Sequence, residues 1–370
     1  MKNSEYTQQI NSLENGEIHL FAAANTYKGF RSCFEEIFEK SGLEKVYILK
    51  GGPGVGKSTL MKKAAFTASE KGMNPIYYHC SSDPESLDGV IIPEKGCAIL
   101  DGTAPHVFDP VYPGARDILV NLGQAWNLDV LNQHKKSIIQ LSDNKGMCYK
   151  AAYRLLSAAK STDDEMREIG GRCMNTRKAS VAAARIAAKH FGKNGSGKIK
   201  TVVCDAISCY GEVRYFCYEK QAEILYFVKD IKSTAGFFFD RLYDYALRSG
   251  IEMYAGIRPL CPDEKVCLYF PGIGMCISMY DDDFCRELDK KAKTYKIINL
   301  ARFFDADKYR ALRSKYKFAE KCYTALKEAA FGELSKAGAY HAELEQIYGK
   351  ATDYKKVSEI GDSIINEIFS

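Results

Sequence analysis

Gly51–Thr59 reads GGPGVGKST, and it stands between the apolar run Val46-Tyr47-Ile48-Leu49 and the stretch STLMKKAAFTASEKG that begins at Ser58. It matches G-x-x-x-x-G-K-[ST] in the strand, loop, helix context which that pattern requires. A turn that must wrap closely around an anion cannot carry side chains at Gly51, Gly52, Gly54 and Gly56. Glycine also accepts the positive φ angles that aim successive N–H groups inward. The free N–H groups and positive dipole end of the next helix add to such a site. The pattern therefore points to a nucleoside triphosphate held by Gly51, Gly52, Pro53, Gly54, Val55, Gly56, Lys57, Ser58 and Thr59. Lys57 is expected to reach the β- and γ-phosphates, and the Ser58 hydroxyl to ligate Mg²⁺.

Downstream of the loop, Leu60, Met61, Ala64, Ala65 and Ala68 make one apolar helix face, and Gly72 is its stop. Strands are predicted at 76–80, 90–92 and 97–100, an α/β pattern. Cys97-Ala98-Ile99-Leu100-Asp101 is four apolar residues ending in a carboxylate, the form of a strand that delivers a Mg²⁺ ligand. Asp101 opens the Pro- and Gly-rich loop DGTAPHVFDPVYPGARD, in which Thr103 and His106 are candidates to approach a γ-phosphate or a second substrate. Asp83, with Glu85 and Asp88, follows the preceding strand and is a candidate to orient a water or hydroxyl nucleophile. Other segments read as helix: FRSCFEEIFEKSG from Phe30 to Gly42, and several amphipathic stretches between about Ile118 and His190.

The whole chain has 370 residues, which suggests two domains. Its 46% hydrophobic and 27% charged content is ordinary for a globular protein, and +5 is a small net charge for this size. No basic stripe or module indicates nucleic acid. No run approaches the ~20 apolar residues of a membrane span, and the polar start MKNSEYTQQINSLENGE has no signal core, so a cytoplasmic protein is expected. The 13 cysteines show no CxxC and no paired Cys/His spacing, so Cys97, Cys267 and Cys276 read as packed small hydrophobes.

Gly192–Lys198, GKNGSGK, repeats the glycine-lysine spelling but follows an Ala-rich helix and has Ile199 in place of the hydroxyl, which reads as a linker over 191–199. The halves on either side of it align. Tyr47 and Lys50 fall on Tyr226 and Lys229 at an offset of 179. From the helix onward the offset is 178, pairing Gly72 with Gly250, Pro93 with Pro271, Gly96 with Gly274 and Asn121 with Asn299. Two tandem α/β repeats of a P-loop NTPase fold are thus expected: 1–190, with a helical subdomain over about 118–190, and 200–370, with its own helical tail. The second copy reads as degenerate. Its loop is DIKSTAG, Lys57 falls on Ala235, and Asp101 falls on Met279.

On the segments GGPGVGKSTLMKKA, HCSSDPESLDGVIIP, CAILDGTAPH and NLGQAWN, the chain resembles bacterial tandem P-loop proteins described only as ATPases or nucleotide-kinase-related proteins. The resemblance spans nearly the whole length and implies ATP with Mg²⁺ at Gly51–Thr59 and Asp101, with no established substrate. It implies a working second loop as well, from which this sequence departs. GGPGVGKST and ILDGTAP are also similar to nucleoside monophosphate kinases, but no arginine follows Gly102 until Arg116 and no arginine-rich lid is evident. Three functions stay open: an ATPase coupling hydrolysis to a conformational change with an unknown protein partner, a phosphotransferase acting on a small-molecule acceptor, and a non-catalytic ATP-gated scaffold. The absence of NKxD disfavours GTPase chemistry, and the absence of LSGGQ an ABC transporter ATPase.

Overall fold

The computed structural model describes residues 17–39, 42–105, 107–192, 197–291 and 293–370. The first half runs β1 (Ile18–Phe21), β2 (Ala23–Thr26), β3 (Gly29–Ser32), β4 (Lys45–Lys50), α1 (Lys57–Glu70), β5 (Ile76–His79), β6 (Leu87–Ile92), β7 (Cys97–Asp101), β8 (Asp117–Asn121), α2 (Leu128–Gln133), α3 (Lys135–Cys173) and α4 (Thr176–His190). The second runs β9 (Ile199–Val202), β10 (Asp205–Ser208), β11 (Gly211–Arg214), α5 (Cys217–Gln221), β12 (Ile224–Lys229), α6 (Ala235–Ser249), β13 (Met253–Ile257), β14 (Lys265–Phe270), β15 (Met275–Met279), α7 (Asp282–Lys290), β16 (Lys296–Asn299), α8 (Ala306–Lys350) and α9 (Tyr354–Phe369).

The chain is mixed α/β, with two six-stranded sheets of one topology. Their orders are β1-β5-β6-β7-β4-β8 and β9-β13-β14-β15-β12-β16. In each, the second to fourth strands are antiparallel neighbours and the other pairings are parallel. The aligned turn residues do the same work in both. Gly72 and Gly250 follow their helices at φ +75° and +61°, and Gly96 and Gly274 turn at +57° and +56°. Asn121 and Asn299 each accept the N–H two residues on. The helix faces correspond too: α1 buries Leu60, Met61, Ala64 and Ala68, and α6 buries Phe238, Phe239, Leu242 and Ala246.

Two compact units result, and neither is one half of the chain. The first comprises the described part of Met1–Arg154, with Ala206–Tyr215 and Ala329–Ser370; the second comprises Leu155–Asp205 and Phe216–Glu328. In the first, Val357, Ile364, Ile365 and Ile368 of α9 pack with Leu60, Met61 and Ala64 of α1 against β4, β6 and β7. In the second, Ala179 and Ala183 of α4 pack with Phe238, Phe239 and Leu242 of α6. The closing hydrogen bonds repeat. Asn127 N–H reaches Ala351 O at 2.7 Å and Asp353 N–H reaches Ala125 O at 2.9 Å in the first unit. Asp305 N–H reaches Cys173 O at 2.8 Å and Asn175 N–H reaches Phe303 O at 2.7 Å in the second. Each sheet is thus covered by a helix that follows the other sheet in sequence.

Two segments differ from their sequence reading. Phe30 lies in β3, paired with Asn25 in a hairpin that turns at Gly29 (φ +108°), and only Glu35–Glu39 coils, as a short π-helix. Phe34 and Phe38 imitate a helix face but plug the core from this turn. The region from Ile118 begins as a strand, because Asp117–Asn121 pairs with β4 and forms a sheet edge; a short 3-10 turn over Leu122–Ala125 follows, and α-helix starts only after Asn127 caps α2. Of the linker, 193–196 lie outside the described residues, and Ile199 already belongs to β9. No helix among the described residues is long and apolar enough to cross a membrane.

Phe38 is seated against Gly89 of β6, where an added Cβ would stand 2.4 Å from the ring. Gly89→Ala is expected to destabilise the first unit by about 1–3 kcal/mol, through displacement of the ring. Phe38→Leu in the same chain should recover part of that loss. Urea unfolding of the two single variants and the double variant measures the coupling.

Candidate functional site

All described residues of the candidate site fall in the first unit. β4 is buried from Val46 to Leu49 and sits between β7 and β8, so its carboxyl end is fixed from both sides. From that end the chain turns through Gly51–Gly56 into α1. Gly54 (φ +69°) and Gly56 (φ +97°) take up the left-handed conformation this path requires. Gly56 gives α1 no side-chain cap, so the first-turn N–H groups of the helix are left for another acceptor.

Asp101 ends β7 opposite Leu49 of β4, which sets its carboxylate beside the loop. Lys57 Nζ lies 3.5 Å from Asp101 Oδ2 and donates to the carbonyls of Gly51 (2.7 Å) and Gly52 (2.8 Å). Thr103 braces the same point: its hydroxyl donates to Gly51 O at 2.9 Å and its N–H to Asp101 Oδ1 at 2.8 Å. Ser58 Oγ accepts the Leu87 N–H at 3.0 Å. Val55 is buried and Thr59 exposed, so Val55 anchors the loop in the core. Lys57, Ser58, Asp101 and Thr103 are therefore gathered at the loop.

Asp83 accepts the Ser86 hydroxyl at 2.9 Å and the Glu85 N–H at 3.3 Å, a local turn. That turn is set by His79 at the end of β5, whose Nδ1 meets Pro84 O at 2.7 Å. Burial first, then the neighbouring His19, holds His79 well below the usual imidazole range. His106 lies outside the described residues. Arg116 forms a two-pronged pair with Asp117, at 2.6 and 3.1 Å, at the start of β8.

The helical segments add groups that no sequence motif marked. Glu345 of α8 passes so close that a Cβ on Gly54 would lie 2.8 Å from its carbonyl oxygen. Tyr348 and Trp126 press on Gly52 in the same way, and the Tyr354 hydroxyl donates to Gly54 O at 2.9 Å. His341 Nδ1 stands 3.4 Å from Lys145 Nζ, and its Nε2 stands 3.7 Å from Glu345 Oε1. Burial chiefly, then the charge of Lys145, lowers the His341 imidazole to about 4, so at neutral pH it is uncharged and Nδ1 accepts from Lys145. Burial and the charge of Asp83 raise the Glu345 carboxyl.

The corresponding place in the second unit is filled by the protein itself. Asp230 caps α6, accepting the N–H groups of Ser233 (3.1 Å), Thr234 (2.9 Å) and Ala235 (2.8 Å). Lys232 and Ser233 carry φ of +50° and +61° there. At the 178-residue offset, His341 and Glu345 become Asp163 and Arg167. Asp163 takes Arg258 at 2.6 and 3.0 Å and Arg167 at 3.0 Å, and Glu264 pairs with both arginines.

The second unit also holds the one cluster of metal-ligating side chains found among the described residues. Glu219, Cys267 and Cys276 are all buried, with donor atoms within 4.8 Å of one another. The two cysteines were read as core packing, and strands β14 and β15 bring them together. Asp281, in the acidic run 281–283, caps α7 by accepting the Phe284 N–H at 2.8 Å. No protein-family model, curated protein or solved structure matches the chain.

The His341 imidazole sets an acid dependence. Its value near 4 in the folded chain lies below the ~6.5 of an unfolded one, so the unfolded state takes up the proton first as pH falls. The stability it contributes is full above about pH 6.5 and is lost as pH falls toward 4. His79 acts with the same sign. Urea midpoints measured from pH 7 to 4 should fall less steeply for His341→Gln than for the unaltered protein.

Proposed function

We propose that the chain is a Mg²⁺-dependent ATP-binding protein with a P-loop fold and a single working loop, Gly51–Thr59. On this reading it is an ATPase of the class it resembles, the bacterial tandem P-loop proteins, and it couples hydrolysis to a conformational change. The observation that carries the reading is the uncapped start of α1 behind a glycine turn, with Lys57 and Asp101 converging on it. The approach to α6, where Asp230 accepts three successive N–H groups, supports the degenerate reading of the second copy.

The residues fit the group they are proposed to hold. The first-turn N–H groups of α1 bind phosphate oxygens, and Lys57 exchanges its two carbonyl partners for the β- and γ-phosphates. Ser58 and Asp101 would hold the magnesium ion, which would supply neutralisation of charge on the phosphates. Asp83 and Glu345 are the carboxylates available to orient a nucleophile. His106 keeps its candidacy from the sequence, within the stretch that Asp101 opens. Coupling is favoured over a freestanding loop because Glu345, Tyr348 and Tyr354 lean on Gly52 and Gly54, so movement of the loop is felt by α8 and α9. Nucleoside monophosphate kinases use arginines on the transferring phosphoryl group, and here Arg116 is already committed to Asp117.

Phosphate release from ATP with Mg²⁺, alone and with candidate acceptors, separates the readings. Release without an acceptor, abolished by Lys57→Ala, is the expected result. ADP formation that depends on an acceptor and yields no free phosphate would favour the phosphotransferase. Binding without either would favour the scaffold. Calorimetry should find one nucleotide per chain, and two would refute the degenerate second loop.

A further inference from the structure

Lys145 is a half-buried ammonium on α3 whose one hydrogen-bond contact among the described residues is a neutral imidazole, His341 Nδ1 at 3.4 Å. The other lysines at the loop have carboxylates: Lys57 has Asp101 and Lys50 has Asp109. Lys145 has no ion pair among the described residues. Its amine is held below its ordinary range first by burial; the Glu345 carboxyl opposes that shift, and the charge of Lys57 adds to it. A half-buried cation close enough to feel a second cation is relieved by an anion placed between them.

The second unit shows what this arrangement becomes when no ligand is needed. The position equivalent to Lys145 is Tyr323, whose hydroxyl accepts from Arg258 at 3.2 Å. The position equivalent to His341 is Asp163, which neutralises Arg258. Charges there cancel within the protein. In the first unit the equivalent pair is a lysine with no ion pair among the described residues and a neutral imidazole that accepts its hydrogen bond, with the Glu345 carboxyl beyond the imidazole. The imidazole leaves the ammonium its full charge and fixes its direction, with Nε2 turned toward Glu345.

We propose that Lys145, aimed by His341, is the group that recognises the terminal phosphate of a nucleotide on the Gly51–Thr59 loop, so that the site discriminates triphosphate from diphosphate. This rests on the reading of that loop as an ATP site. Lys57 comes from within the loop, whereas Lys145 and His341 come from α3 and α8. A γ-phosphate held by Lys145 therefore ties the helical segments to the loop, and a diphosphate leaves them untied. His341 is a positioning residue.

The test is calorimetric binding of a non-hydrolysable ATP analogue and of ADP, each with Mg²⁺, to the full chain. Lys145→Ala is expected to weaken the analogue about 10-fold or more while ADP changes by no more than about 2-fold, the loss of one charge-assisted contact to the last phosphate. Lys145→Arg should restore most of the preference, and His341→Ala should lose part of it. Unfolding of the nucleotide-free variants reports whether the fold is intact. If Lys145→Ala does not fold, Lys145→Met, which keeps the apolar stem, takes its place. Equal weakening of both ligands, or of neither, in a protein whose binding is still abolished by Lys57→Ala overturns the role of Lys145 and leaves the loop reading standing. No binding of either ligand to the unaltered protein overturns the loop reading, and this inference with it.

Discussion

A helix must find acceptors for its first-turn N–H groups, and this chain meets that demand in two incompatible ways. Before α6 the acceptor is covalently part of the protein. Asp230 places its carboxylate under Ser233, Thr234 and Ala235, and Lys232 and Ser233 adopt left-handed conformations that cost non-glycine residues about 1–2 kcal/mol each. Before α1 glycine takes the left-handed positions, and no side chain caps the helix. Asp230 thus meets the first α6 donor, the Ala235 N–H, from within the protein, whereas no side chain caps the start of α1. Lys57, Ser58 and Asp101 gather at that start because β4 and β7 are parallel neighbours that end together.

The open loop is shaped as much by what leans on it as by its own glycines. Gly54 has no room for a Cβ because the α8 backbone at Glu345 occupies that space, and Gly52 is closed off by Tyr348 and Trp126. These residues belong to the first compact unit although most lie near the end of the chain. The exchange is reciprocal: Val357 and Ile365 of α9 seal one core, and Ala179 and Ala183 of α4 seal the other. Chain connectivity and packing thus divide the molecule differently, and the burial that stabilises each sheet requires residues from both halves.

Much of this was legible in the sequence, for identifiable reasons. Glycine and asparagine at turns have few substitutes, so Gly72 with Gly250, Gly96 with Gly274 and Asn121 with Asn299 kept the repeat visible where the core residues had changed. The loop and Asp101 were legible because strand, turn and helix occur within one local pattern. Lys145, His341 and Glu345 were not. Lys145 and His341 are 196 residues apart, and each lies in a long helix whose periodicity reports burial and not what the polar face meets. Phe30–Ile37 misled in the opposite sense, because aromatic residues spaced three and four apart also suit a hairpin followed by a single π turn.

What the second copy contributes follows from where its parts go. If the halves were independent, each would close its own sheet with its own helices. Here the segment 329–370 carries His341, Glu345, Tyr348, Tyr354 and the apolar face of α9, and all of these pack within the first unit. Retaining that segment requires a scaffold that delivers it, namely the second sheet and the long helix α8. The second sheet is covered in turn by α4 from the first half. In the second unit Asp230 meets backbone donors, and the charges of the Asp163–Arg258–Glu264–Arg167 network meet one another, within the protein.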